Sequence, residues 1–138
     1  MLTVLLAMVA ACAPSLTESP VVSGAPPSGT PSDLAPPDVV LRAYLEAVRA
    51  GDCAAASRFV VAATFRTGTG ELCGAVNLSA YRADGDPIRP SPTEVLYGMT
   101  LTTGGSTDRS IPAGDFLWTY DLVRQPNGAW RIVGAGQG

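Results

Sequence analysis

FLWTYDLVRQPNGAWRIV, residues 116–133, is the stretch whose reading decides the fold class. Phe116, Trp118, Tyr120 and Leu122 alternate with Leu117, Thr119, Asp121 and Val123, and this period of two belongs to a β-strand with one strongly apolar face and one mixed face. Pro126-Asn127-Gly128 supplies a hairpin turn, since Asn and Gly adopt the left-handed conformations that tight turns need. Trp130-Arg131-Ile132-Val133 is then the returning strand. Upstream, Val95, Tyr97, Met99 and Leu101 alternate with Leu96, Gly98, Thr100 and Thr102 in the same way and predict a third antiparallel strand.

Further toward the N-terminus the period lengthens. After Asp38, the run VVLRAYLEAVRA places Val40, Leu41, Tyr44, Leu45 and Val48 at three- and four-residue spacing, the signature of an amphipathic helix that Gly51 stops. Arg42, Glu46 and Arg49 fall on its other side at spacings that permit surface ion pairs. Asp52 stands where a cap is expected for a second helix over CAAASRFVV, residues 53–61. A third short helix is expected over Asn77–Arg82, beyond a turn at Gly68–Gly70. Asp84–Pro92, punctuated by Gly85, Pro87, Pro90 and Pro92, reads as an irregular loop. Helices first and an antiparallel sheet after them make an α+β domain.

Ahead of that domain lie two segments of different character. Leu2–Ala11, LTVLLAMVAA, is an uncharged apolar run of ten residues, too short to span a bilayer core that takes about twenty helical residues. It has the length of a signal-peptide core. The run ends in Val9-Ala10-Ala11-Cys12, which resembles the lipobox of bacterial lipoproteins, in which the cysteine is acylated and becomes the new N-terminus. The resemblance implies a signal peptide over residues 1–11, a lipid on Cys12 and an extracytoplasmic, membrane-anchored product. No Lys or Arg precedes the run, as expected if translation starts upstream of Met1. Residues 12–37 are rich in Pro, Ser, Gly, Thr and Ala and cannot bury enough apolar surface to offset their ordering entropy. They read as a disordered tether with a reach of roughly 25–30 Å. Residues 38–138 form the domain.

Within that domain, AYLEAVRAGDCAAA, then GELC, then YDLVRQPNGAWRIV resembles in its order the secreted NTF2-like lipoproteins. The shared features are Gly-Asp-Cys after the first helix, Leu-Cys some twenty residues on and Gly-x-Trp-Arg-Ile near the end. The resemblance covers about Pro36–Gly138. It implies an NTF2-like (cystatin-like) cone, with N-terminal helices packed on a curved antiparallel sheet around a pocket. By the same resemblance Cys53 is bonded to Cys73, and an oxidising compartment agrees with that pairing. A reactive or metal-binding cysteine pair is the alternative.

Composition narrows the chemistry. The chain has no His, so it has no Ser-His-Asp or Cys-His mechanism and no His-based zinc site. Its nine Arg residues are scattered, its net charge is −3, and the basic patch of a nucleic-acid binder is missing. Gly104-Gly105 and Gly134-x-Gly136 do not lead from strand to helix as phosphate cradles do, and read as turns or a flexible tail. Enzymes with NTF2-like folds, ketosteroid isomerase among them, use interior Asp and Tyr groups, for which Asp115, Asp121, Tyr44, Tyr97 and Tyr120 are the candidates here. None lies in a motif that maps onto those enzymes. Asp121 and Tyr120 must point to opposite faces of one strand, which makes Asp121 a solvated sheet residue.

No catalytic residue, metal or cofactor is therefore assigned. Tyr44, Tyr97, Trp118 and Tyr120 are the possible pocket residues. Phe116, Trp118, Tyr120 and Trp130 can line a cavity or simply fill the core. The expected function is a non-catalytic, envelope-anchored domain that binds a small apolar ligand or an envelope protein. The alternative is a small isomerase, dehydratase or hydrolase.

Overall fold

The computed structural model describes residues 31–61 and 72–137. The expected signal peptide, Cys12, most of the tether and the Gly68–Gly70 turn lie outside the described residues. Two helices, α1 (Pro37–Ala50) and α2 (Cys53–Ser57), precede five strands: β1 (Val76–Ala83), β2 (Ile88–Ser91), β3 (Glu94–Ser106), β4 (Gly114–Arg124) and β5 (Trp130–Gly136). The strands form one antiparallel sheet in the order β1-β3-β4-β5, with β2 also paired to β3. This is the α+β class read from the sequence.

Helix α1 opens on Pro37, whose missing N–H costs nothing in a first helical turn. It ends where Gly51 takes a left-handed φ of 71° and donates its N–H back to Val48. Val40, Leu41, Tyr44, Leu45 and Val48 are buried, as their spacing predicts. On the outer side Arg49 reaches Glu46 at 2.6 Å, whereas Arg42 lies near Asp38 instead of Glu46. Asp52 caps α2, its Oδ1 accepting the Ala55 N–H at 2.9 Å. Asp52→Ala should therefore cost about 1 kcal/mol of stability, measurable as a lowered denaturation midpoint, whereas Asp52→Asn should keep most of it.

Four sequence expectations are corrected. The second helix stops at Ser57 instead of running through Val61. Phe59 and Val61 exchange backbone hydrogen bonds with Ile132, and Val60 makes a parallel bridge to it, so the Phe-Val-Val run protects the free edge of β5. β-branched residues pack better there than on a helix.

Asn77–Arg82 is not a helix but the body of β1, paired antiparallel with β3 from Val76↔Ser106 to Ala83↔Met99. Val76 and Leu78 are buried and Asn77 and Ser79 exposed, a strand alternation too short to stand out, and six residues hold no helix unless tertiary packing supports one. Asp84–Pro92 contains the strand β2, paired through Ile88↔Leu96 and Ser91↔Glu94. Pro90 is tolerated because this is a short edge strand. Likewise Gly134 and Gly136 form no tail: they sit in β5 opposite Asp121 and Thr119, since a ladder needs only the backbone. Gly104 and Gly105 close β3, where Gly105 has the left-handed φ of a turn.

The sheet has two unlike faces. Val95, Tyr97, Met99 and Leu101 of β3 stand opposite Leu122, Tyr120, Trp118 and Phe116 of β4, and together with Trp130 and Ile132 they meet the apolar stripe of α1. The Tyr44 ring meets Tyr120 edge-on, with centroids 5.8 Å apart, the arrangement that ring quadrupoles favour. The outer face carries Glu94, Leu96, Leu117, Asp121 and Val123. The stretch before α1 is fastened to the β4–β5 hairpin: Arg131 pairs with Asp33 at 3.2 Å, and Ala35 is buried in the core.

Candidate functional site

Cys53 and Cys73 are bonded, with Cα atoms 5.5 Å apart. The bond ties the start of α2 to the turn that enters β1. In that turn the Ala75 and Val76 N–H groups both donate to the Leu72 carbonyl. Gly74 takes a φ of 78°, and a Cβ there would lie 3.7 Å from Cys53 Sγ. The disulfide thereby fixes one wall of a groove of about 500 Å³ at the end of the sheet where β3 turns into β4. That volume lies within the range of small-molecule sites.

The apolar lining comes from Leu72, Ala75, Val76, Ile111 and Trp118, and the polar lining from Ser106, Asp108, Ser110 and Gln137. The second wall is the β3–β4 hairpin, built around Asp108. Its Oδ1 accepts from Ser106 Oγ at 2.6 Å, Ser110 Oγ at 2.7 Å and Ser110 N at 3.0 Å. Those bonds, Ser106 Oγ first, hold the carboxyl at about 2, well below the ordinary Asp range. Ser106 Oγ also accepts from Ile111 N, and Thr107 N donates to the Ala75 carbonyl, which joins the two walls. Asp108 is thus an ionised group at neutral pH on the groove's rim. The hydrogen bonds it receives stitch a turn.

Of the four predicted pocket residues, only Trp118 borders the groove. Tyr44 and Tyr120 are fully buried core residues, and Tyr97 packs beside Tyr120 across the β3–β4 pair. Burial raises the Tyr97 phenol, and the nearby Asp38 carboxylate raises it further, with Arg89 opposing. Burial also drives Tyr120 far above the ordinary tyrosine range, so its hydroxyl stays protonated. Around these tyrosines Leu45, Leu101, Leu122 and Ile132 are fully buried as well. Phe116 and Trp118 meet edge-on at 5.6 Å, and Trp130 is core.

The carboxylates considered for catalysis lie on the other side of the sheet. Asp115 accepts from Thr102 Oγ1 at 2.6 Å and lies 3.9 Å from Arg82. Asp121 is not the freely solvated residue its alternation suggested. It is half-buried, and its Oδ1 is buried without a hydrogen-bond partner among the described residues. Burial, and then repulsion from Glu94, raise its carboxyl. The folded state therefore favours the protonated form. Stability is fullest under acid, falls as pH rises through the raised folded value, and the deficit persists at neutral pH. Asp121→Asn should stabilise the protein at pH 7 by roughly half a kcal/mol, a gain that shrinks toward pH 3 in thermal melts. A loss at pH 7 would contradict this account.

Sequence reasoning missed Leu72–Val76 and Ser106–Ile111, which supply most of the groove. The available signal was the Ser106-Thr-Asp108-Arg-Ser110 spacing, in which an Asp with flanking hydroxyls builds a local turn. Among the described residues, no carboxylate is buried in the core, no group of three or more His, Cys, Asp and Glu is placed to hold a metal, and no helix is long and apolar enough to cross a membrane.

No family model matches the chain, and no curated protein matches it. Among solved structures, it is similar to a ketosteroid isomerase-like protein from Erwinia carotovora atroseptica SCRI1043, at 16% identity over 75% of this chain and 93% of that one, with a TM-score of 0.49.

Proposed function

We propose that this chain is an extracytoplasmic, lipid-anchored binding domain of the NTF2-like type that holds a small apolar ligand in the groove beside Trp118. The groove carries the reading: it joins an apolar floor to a few polar groups at one end of the hydrophobic core. The two-helix, antiparallel-sheet layout and the closing β4–β5 hairpin support the NTF2-like assignment. The apolar leader and Val9-Ala10-Ala11-Cys12 support the anchor, and the Cys53–Cys73 bond suits an oxidising compartment. Trp118 and Tyr120 face away from Asp115 and Asp121, which favours binding over acid–base chemistry at those carboxylates.

A protein taken from its own envelope should release a bound small molecule in native mass spectrometry, and Ala75→Trp, which fills the groove, should come out empty. Identical bare spectra for both would remove the ligand reading. Cys12→Ser should abolish acylation and release the protein from the membrane fraction, and unchanged membrane association would show that attachment lies elsewhere. A protein partner is the second reading, favoured by the exposure of Leu117 (56%) and Ile88 (65%) on the outer part of the sheet.

A further inference from the structure

We infer that the groove selects cationic ligands, meaning apolar molecules that carry an ammonium group, over neutral or anionic molecules of the same shape. The inference rests on the groove being a ligand site and adds the chemistry of its occupant. Among the described residues that line the groove, Asp108 is the one that carries a charge. The three hydrogen bonds from the hairpin onto its carboxylate all arrive at Oδ1, which leaves Oδ2 for an incoming donor.

The same groove is lined by Trp118, 5% exposed. The negative face of an indole attracts cations and is indifferent to neutral groups. Its ring is already steered by the edge-on contact with Phe116. Beside the carboxylate and the indole, Leu72, Ala75, Val76 and Ile111 offer only hydrocarbon, which suits an aryl or alkyl body. Among the described residues that line the groove, none is an Arg that would pair with an anionic headgroup.

Three probes that share a phenylethyl body test this on the full chain carrying Cys12→Ser, so that neither acyl group nor detergent competes: 2-phenylethylammonium, 2-phenylethanol and 3-phenylpropionate. Binding is read from the Trp118 indole N–H signal in nitrogen-15 spectra. The ammonium should bind about fivefold more tightly than the carboxylate, the scale of a solvent-exposed cation–π contact plus a screened ion pair, and the ratio should shrink with added salt. Asp108→Asn keeps the Oδ1 acceptor that the two serines use but removes the charge, and should bring the ratio toward that of the indole alone. If the ammonium shows no advantage in the wild-type chain, or Asp108→Asn leaves its advantage whole, the cation preference is overturned while the groove stands. If none of the three probes binds, the groove reading itself falls. The wild-type ratio decides the matter should the variant fail to fold.

Discussion

Reduction of the Cys53–Cys73 bond, or its removal by the paired Cys→Ser substitutions, is expected to lower the stability of the domain by about 3 kcal/mol. The bond closes a loop of 20 residues, and closing such a loop in the unfolded chain removes about that much conformational freedom. The described domain spans roughly one hundred residues, and domains of that size are stable by only about 5–15 kcal/mol. One covalent link is thus a large share of the whole. The midpoint of thermal unfolding should fall by more than about 10 °C on reduction. The site should suffer too, since the bond secures the Leu72–Val76 wall through Cys73 while the opposite hairpin keeps its own Asp108 turn. Probe affinity at the groove should therefore drop before the domain unfolds. A reduced protein within about 1 kcal/mol of the oxidised one would mean that core packing alone holds the fold.

A second large effect separates the two faces of β4. Leu122→Ala is expected to cost about 3 kcal/mol, because Leu122 is 0% exposed and stands opposite Val95 on one side and Ile132 on the other. Truncation there removes buried hydrocarbon and leaves a cavity that neighbours on two strands cannot collapse to fill. Leu117→Ala on the same strand should change stability by less than about 0.5 kcal/mol, its side chain being 56% exposed on the opposite face. Urea unfolding of both variants checks the pair. Equal losses would show that the outer face is covered, and would then favour a docked protein over free solvent at Leu117.

Elements legible from the residues were those with strong period and clear punctuation. Helix α1 carries five buried positions at helical spacing and a Gly that ends it. Strands β3 and β4 alternate for several residues apiece, and Pro126-Asn127-Gly128 turns the chain between β4 and β5. At these places local preference and tertiary environment point the same way. The Asp52 cap and the separation of Asp121 from Tyr120 follow from the same short-range geometry, and both are found in the structure. The half-burial of Asp121 does not follow from it. That depends on Leu96 and Gly134 flanking it from two other strands.

What the order of residues determined alone is therefore the α+β class, the apolar faces of α1, β3 and β4, and a chain lacking the imidazole needed for most nucleophilic triads. Only the tertiary structure decided that Asn77–Arg82 is a strand, that a proline-broken segment pairs as β2, and that Tyr44, Tyr97 and Tyr120 fill space while Trp118 borders it. The reason is range. Periodicity reports on neighbours three or four residues away, whereas β1 is held by partners more than fifteen residues distant in β3, and the groove arises where the turn before β1 meets the β3–β4 hairpin, two segments some thirty residues apart.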